Sequence, residues 1–166
     1  MNDEQLKKQL QALETGDKTA FSAIYTQLKT PVYTVLVRLT GDRALAEDLL
    51  QEVFLKLYRQ PPRAEKPRAY VFRMARNLAI DALRQRQPTE SLEELSVQTD
   101  SDLKLDLEQA FERLTVQERQ LVALHLSAGL TFREVAAIVE RPLGTVLWQY
   151  RRAIEKLRVL LDGGSL

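Results

Sequence analysis

The sequence predicts an all-α protein made of two small helical domains joined by a flexible acidic linker. Three observations carry that expectation. Apolar residues recur at helical spacing in almost every segment between the Gly and Pro breaks, and no segment alternates apolar and polar residues as a half-buried strand does. Good N-cap residues open the periodic runs, and Thr115 with Glu118 and Thr131 with Glu134 have capping-box spacing. Residues 88–101 are polar, acidic and rich in Ser and Thr, with too few large apolar groups to pack. The domains are expected at 1–87 and 102–166, with 88–101 between them.

Taken in order, residues 6–13 read as a short amphipathic helix that ends near Gly16. Asp17 and Thr19 can start a second helix, with Phe21, Ile24, Tyr25 and Leu28 as its stripe. Pro31 is expected to separate it from a third, which runs through Val32, Val35, Leu36 and Leu39 to Gly41. Asp42 or Arg43 begins a fourth, which Pro61 and Pro62 stop. The basic loop RQPPRAEKPR follows, and then a fifth helix over 70–85, with Val71, Met74, Ala75, Leu78 and Ala82 facing inward. After the linker, helix resumes over 102–114, and Thr115 caps VQERQLVALHLSAG.

Residues 130–161, LTFREVAAIVERPLGTVLWQYRRAIEKLRVLL, read as two helices joined by a tight turn. Phe132, Val135, Ala136 and Val139 give the first an apolar face. Arg141 to Gly144 is expected to be the turn, with Gly144 supplying backbone freedom and Thr145 capping the next helix. Val146, Tyr150, Ala153, Leu157 and Leu161 form the core stripe of that helix, opposite Trp148, Arg151, Arg152, Glu155 and Arg158. This is the pattern of a helix-turn-helix, which places its second helix in the major groove of DNA. Basic helix faces also occur in proteins that never meet DNA, and Trp148 is unusual on a DNA-reading face.

Charge is nearly balanced, with 24 Lys and Arg against 23 Asp and Glu, so its distribution is the informative property. Residues 63–86 are strongly basic and 90–108 strongly acidic, and the C-terminal helix is basic again. Such an arrangement fits a chain that contacts a polyanion at two places. Cysteine is absent, which excludes disulfides and thiolate metal sites. His125 is the single histidine, so no histidine cluster can hold zinc, and it is expected to pack rather than catalyse. There is no glycine-rich phosphate loop and no nucleophile elbow. Glu47, Asp48 and Glu52 lack histidine partners and read as an interface or solvated face. No catalytic residue, metal or cofactor is expected. The polar N-terminus and the lack of any long apolar run predict a cytoplasmic protein with no membrane segment.

Two further segments are more specific. Residues 46–58, AEDLLQEVFLKLY, and 68–84, RAYVFRMARNLAIDALR, together resemble region 2 of bacterial sigma factors of the sigma-70 family. The C-terminal half from LEQAFERL onward resembles their region 4. Order and spacing agree over nearly the whole chain, and the short linker leaves no room for region 3, which points to the extracytoplasmic function (ECF) group. The resemblance implies an alternative sigma factor with a region 2 helical bundle and a region 4 helix-turn-helix. Such a protein binds core RNA polymerase and directs promoter-specific initiation.

By the same resemblance, 46–58 docks on the basic coiled coil of the polymerase β′ subunit, through Asp48, Gln51 and Glu52, with Leu49, Val53 and Phe54 as anchors. The block at 68–84 recognises and melts the minus-10 element, with Arg68, Tyr70, Arg73, Arg76, Asn77 and Arg84 as candidates. Aromatic rings and arginines suit unstacked bases and a single-stranded backbone. Tyr70 stands where the family often has tryptophan, Phe72 is expected in the core, and the loop at 60–67 is the candidate rim of a base pocket. The second helix of the helix-turn-helix reads the minus-35 element, with Arg141, Thr145, Leu147, Trp148, Gln149, Arg151 and Arg152 as candidates. Leu147 and Trp148 replace the usual polar pair. They can cover thymine methyls or sugar faces, or serve a protein such as an anti-sigma factor, a common partner in this group. The acidic linker is expected to run through the RNA exit region of the polymerase. Two rival readings are a stand-alone helix-turn-helix regulator, which leaves 46–58 unexplained, and a sigma-like protein whose region 4 works mainly in protein interaction.

Overall fold

The computed structural model describes residues 1–86 and 106–163, and all regular structure among them is helical. The N-terminal unit consists of α1 (Asp3–Glu14), α2 (Lys18–Thr40), α3 (Arg43–Arg59) and α4 (Pro67–Arg86). The C-terminal unit consists of α5 (Leu107–Glu112), α6 (Val116–Val122), a wide π turn (Ala123–Ser127), α7 (Phe132–Val139) and α8 (Leu143–Leu161). The expected linker and residues 102–105 lie outside the described residues.

Local signals start α2, α3, α6 and α7 where the sequence places them, while α1 begins earlier, at Asp3, and α4 at Pro67. Asn2 and Gln5 form a capping box on α1, and Asp17 caps α2. Asp42 caps α3, accepting from the Leu45 N–H at 3.0 Å, and also pairs with Arg86 at 3.0 Å. The Leu45 amide, then Arg86, hold its carboxyl below the usual aspartate range. Both predicted capping boxes in the C-terminal unit are formed, Thr115 with Glu118 and Thr131 with Glu134.

Three expectations need correction. Pro31 does not end a helix: α2 runs unbroken for 23 residues with Pro31 inside it. A helical proline loses one hydrogen bond and crowds the preceding turn, at about 3 kcal/mol. Here Ile24 and Leu28 before it, and Val32, Leu36 and Leu39 after it, lie on one buried stripe, so packing on both sides holds the helix through the defect. The inward face of α4 is also shifted. Val71, Phe72, Ala75, Ala79 and Ile80 are buried, while Met74, Leu78 and Ala82 are half-buried at its margin. Phe72 is fully enclosed, as expected.

The third correction concerns the helix-turn-helix. α8 begins at Leu143, with Pro142 in the N-cap position and no side-chain cap, so Thr145 lies within its first turn. Gly144 is helical. The left-handed residue of the turn is Glu140, at φ 56°. Its backbone N–H bonds back to the Ala136 carbonyl and closes α7, so the chain reverses before the proline rather than after it.

The two units are packed together. One apolar cluster joins Leu36, Leu39 and Ala75 of the first to Leu124, Leu130, Val135 and Val139 of the second. A smaller cluster of Ala110, Phe111, Leu114, Val122, Ala153 and Leu157 ties α5 and α6 to α8. Among the described residues, polar contacts also cross the seam. Arg38 donates to the Ser127 hydroxyl and Arg68 to the Ala128 carbonyl. Arg76 donates to Gln120 Oε1 at 2.7 Å, and Arg43 pairs with Glu108 at 2.6 Å.

Candidate functional site

Three surfaces gather the residues singled out in the sequence. On α3, Asp48, Gln51 and Glu52 are all exposed, and their i, i+3, i+4 spacing places them on one face. Glu52 lies 3.8 Å from Lys56. Leu49 and Phe54 are buried and hold the helix from within. The Phe54 ring meets Tyr25 edge-on at 4.9 Å. Leu55, 45% exposed, continues the same face one turn beyond Gln51, and Tyr58 is exposed beside it. These two were missed in the sequence. The signal was an apolar residue at +7 from Asp48, on an otherwise polar stripe.

The α4 candidates divide into two groups. Arg73, Asn77 and Arg84 are exposed, and Tyr70 is 44% exposed. Tyr70 and Arg73, with Ala64 and Lys66 of the preceding loop, line a cavity of about 320 Å³ closed on the far side by Arg133, Glu134 and Ile138 of α7. Of the loop at 60–67, Ala64 and Lys66 line this cavity. Arg68 and Arg76 instead turn into the seam. The Arg68 guanidinium lies over the Phe72 ring at 5.6 Å while it donates to Ala128. Arg76 bonds Gln120 and, at 3.0 Å, Asn77 Oδ1. Burial pushes its guanidinium below the ordinary arginine range, with the Arg84 charge acting in the same direction. Arg38 was also missed. It is half-buried, stacks on Phe111 at 4.9 Å, and was hidden in sequence as one cation within an apolar stripe.

On α8, Val146, Ala153 and Leu157 face the core, and Trp148, Arg151 and Arg152 face outward. Trp148 is 57% exposed, and the Arg152 guanidinium sits over its indole at 4.9 Å. Arg141, Thr145 and Leu147 are half-buried. Gln149 is turned inward, accepting from Gln117 Nε2 at 3.4 Å, so it is not free on the outer face as its position suggested. Farther along, Arg158 is neutralised by Glu155.

His125 is structural. Its Nδ1 lies 2.8 Å from the Leu130 carbonyl, which can only accept, so that nitrogen carries the proton. The ring stacks on Phe132 at 3.8 Å and meets Tyr150 edge-on at 5.1 Å, which joins the π turn to both helices of the helix-turn-helix. Burial pushes the Tyr150 hydroxyl above its ordinary range. Among the described residues no cluster of His, Asp and Glu can hold a metal ion, and no helix is long and apolar enough to cross a membrane.

Comparison with known proteins agrees with this geometry. Residues 24–89 match the family Sigma-70 region 2, and 110–159 match Sigma-70, region 4. The chain is 28% identical to the ECF RNA polymerase sigma factor SigW of Bacillus subtilis, over 92% of this chain and 95% of that protein. It is 26% identical to the ECF sigma factor SigK of Mycobacterium ulcerans, over 92% and 91%. Among solved structures, it shares its fold with CnrH in complex with the cytosolic domain of CnrY (TM-score 0.72, 18% identity, 97% of this chain and 99% of that one). It also shares its fold with RpoE bound to the anti-sigma factor NepR from Bartonella quintana (TM-score 0.65, 21% identity, 86% and 96%). With the region 2 and region 4 families matched in order along the chain, the protein belongs to the sigma-70 family, ECF group, and is a non-enzymatic factor that directs RNA polymerase to promoters to initiate transcription.

Proposed function

We propose that the three surfaces divide the work of initiation. The α3 face, through Asp48, Gln51 and Glu52 with Leu55 beside them, docks on the basic β′ coiled coil of core RNA polymerase. Tyr70, Arg73, Asn77 and Arg84 engage the minus-10 element, joined by Arg68 and Arg76 once these leave the seam. The outer face of α8 reads the minus-35 element through Trp148, Arg151 and Arg152, and Arg141, Thr145 and Leu147 border that contact. One observation carries this reading: an exposed acidic and amide face stands on one helix while exposed cations and aromatics stand on two others. A stand-alone DNA reader has no use for the first of these. Opening DNA then needs no bond chemistry, because stacking on Tyr70 and phosphate contacts by arginine offset the cost of unpairing.

The solved relatives are bound to CnrY and to the anti-sigma factor NepR, which supports a protein inhibitor as a partner of this chain as well. The function reading also places the protein in the cytoplasm, where polymerase is. Run-off transcription with purified core polymerase and a pool of random promoters tests the assignment. Polymerase-dependent, sequence-selective initiation is expected. Footprinting of DNA by the chain without polymerase, together with no selective initiation, would overturn it.

A further inference from the structure

We infer that Trp148 and Arg152 form one composite reader of a thymine next to a guanine in the minus-35 element. The inference rests on the function proposed above and specifies what α8 recognises. Recognition helices meet base edges with their N-terminal turns, and Trp148 and Arg152 occupy the second and third turns of α8 on its outer face. Indole has a single N–H donor and cannot make the paired hydrogen bonds that distinguish purines. What it offers is a broad apolar surface, and thymine is the base that presents a methyl group in the major groove.

Arg152 completes the reader. Among the described residues it forms no hydrogen bond or ion pair, and its guanidinium sits over the indole face at 4.9 Å. The indole holds the guanidinium beside it, with its fork of N–H donors left available for two parallel hydrogen bonds to guanine O6 and N7. Because the two side chains touch, the bases they read are neighbours. The surroundings favour DNA over a protein partner. Leu147 is half-buried, so the exposed large apolar group on this face is the Trp148 ring, itself covered in part by Arg152, which suits a base edge better than a broad protein docking patch. The charge beside it, from Arg151 and Arg152, is positive and unneutralised, whereas Arg158 farther along is paired.

Methyl deletion on the DNA tests the inference. A promoter selected by the polymerase holoenzyme is rebuilt with each minus-35 thymine replaced, one at a time, by deoxyuridine, which keeps the hydrogen-bonding edge and lacks the methyl. Holoenzyme binding should weaken about fourfold at one position, the factor that corresponds to ~0.8 kcal/mol for one buried carbon. That penalty should disappear in Trp148→Ala and persist in part in Trp148→Phe. Arg152→Ala should relax the preference for guanine at the adjacent base pair, while Arg151→Ala weakens all sequences alike. Indifference of the wild type to every uracil, or an equal penalty in wild type and Trp148→Ala, would overturn the inference, as would Trp148→Ala sparing promoter choice and abolishing only a protein complex. Absence of selective initiation by the wild-type holoenzyme would instead sink the function reading itself, so the two failures are distinguishable.

Discussion

The Arg76 Nε–H donates to the Gln120 side-chain carbonyl across the seam between the two units, at 2.7 Å. A candidate minus-10 cation is thus committed to the region 4 unit. Arg68 makes the same kind of commitment through Ala128. Neither arginine can follow a DNA strand while these bonds stand, but the α3 face is open throughout.

Locking the seam should therefore separate docking from melting. Arg43 and Glu108 meet across it and both are exposed, and the chain has no cysteine of its own. The double variant Arg43→Cys, Glu108→Cys, joined by a short bis-maleimide, is expected to bind core polymerase normally and to fail in promoter opening read by permanganate reactivity. The uncross-linked variant should open promoters. Equal opening by both forms would show that the seam plays no part.

Reversal of charge on α3 should act on docking alone. Glu52→Lys is expected to weaken competition for core polymerase about tenfold, as an unfavourable charge beside a basic partner does. Urea unfolding should change by less than about 0.5 kcal/mol, because the residue is exposed. Leu55→Ala should give a smaller loss in the same competition assay.

Two neighbouring aromatics should behave oppositely. Phe72 is fully buried, and Phe72→Ala should cost about 3–5 kcal/mol of stability by leaving a cavity. Tyr70→Ala should leave stability nearly unchanged and slow promoter opening roughly 5- to 150-fold, the equivalent of about 1–3 kcal/mol of base stacking. Tyr70→Trp should retain opening. Thermal unfolding and single-round opening kinetics, taken together, check the pair.

Glu140 holds a left-handed conformation that costs a residue with a Cβ roughly 1–2 kcal/mol. Glycine adopts it without that penalty. Glu140→Gly is expected to raise stability by about 1 kcal/mol in urea unfolding, and a destabilised variant would contradict the backbone assignment.

Asp42 predicts a dependence on acid. Its folded carboxyl titrates below the ordinary range, so its charged form stabilises the fold at neutral pH and that contribution fades as pH falls through the folded value. Asp42→Asn keeps an N-cap acceptor but cannot ionise. Wild type should melt higher than the variant at neutral pH, and the two curves should converge below about pH 4, the ordinary aspartate range. A gap that is constant with pH would mean that the charge contributes nothing.

What the sequence made legible was local. Capping boxes at Thr115 and Thr131, the Asp42 cap and the Asp48–Glu52 face are short-range patterns, and each appears where the residues place it. Pro31 and Gly144 misled because their effect is decided by packing: a stripe buried on both sides carries α2 through its proline, and an early start to α8 leaves Gly144 without a turn to make. The site was harder to read for the same reason. Nothing in the spacing of Arg68, Arg73, Arg76 and Arg84 shows that the first and third turn toward Ala128 and Gln120 while the others stay open, since that depends on a second unit some forty or more positions away in the chain.

The π turn gives the molecule a built-in gauge. Its widened ladder is held by three successive amides: Ala128 to the Ala123 carbonyl, Gly129 to His125 and Leu130 to Leu124. Arg38 and Arg68 grip Ser127 and Ala128 from one side, and His125 grips the aromatic pair of the helix-turn-helix from the other. Hydrogen exchange at those three backbone positions will thus register the departure of either arginine, so a few amide protons, followed over time, can report when the two halves of the molecule let go of one another.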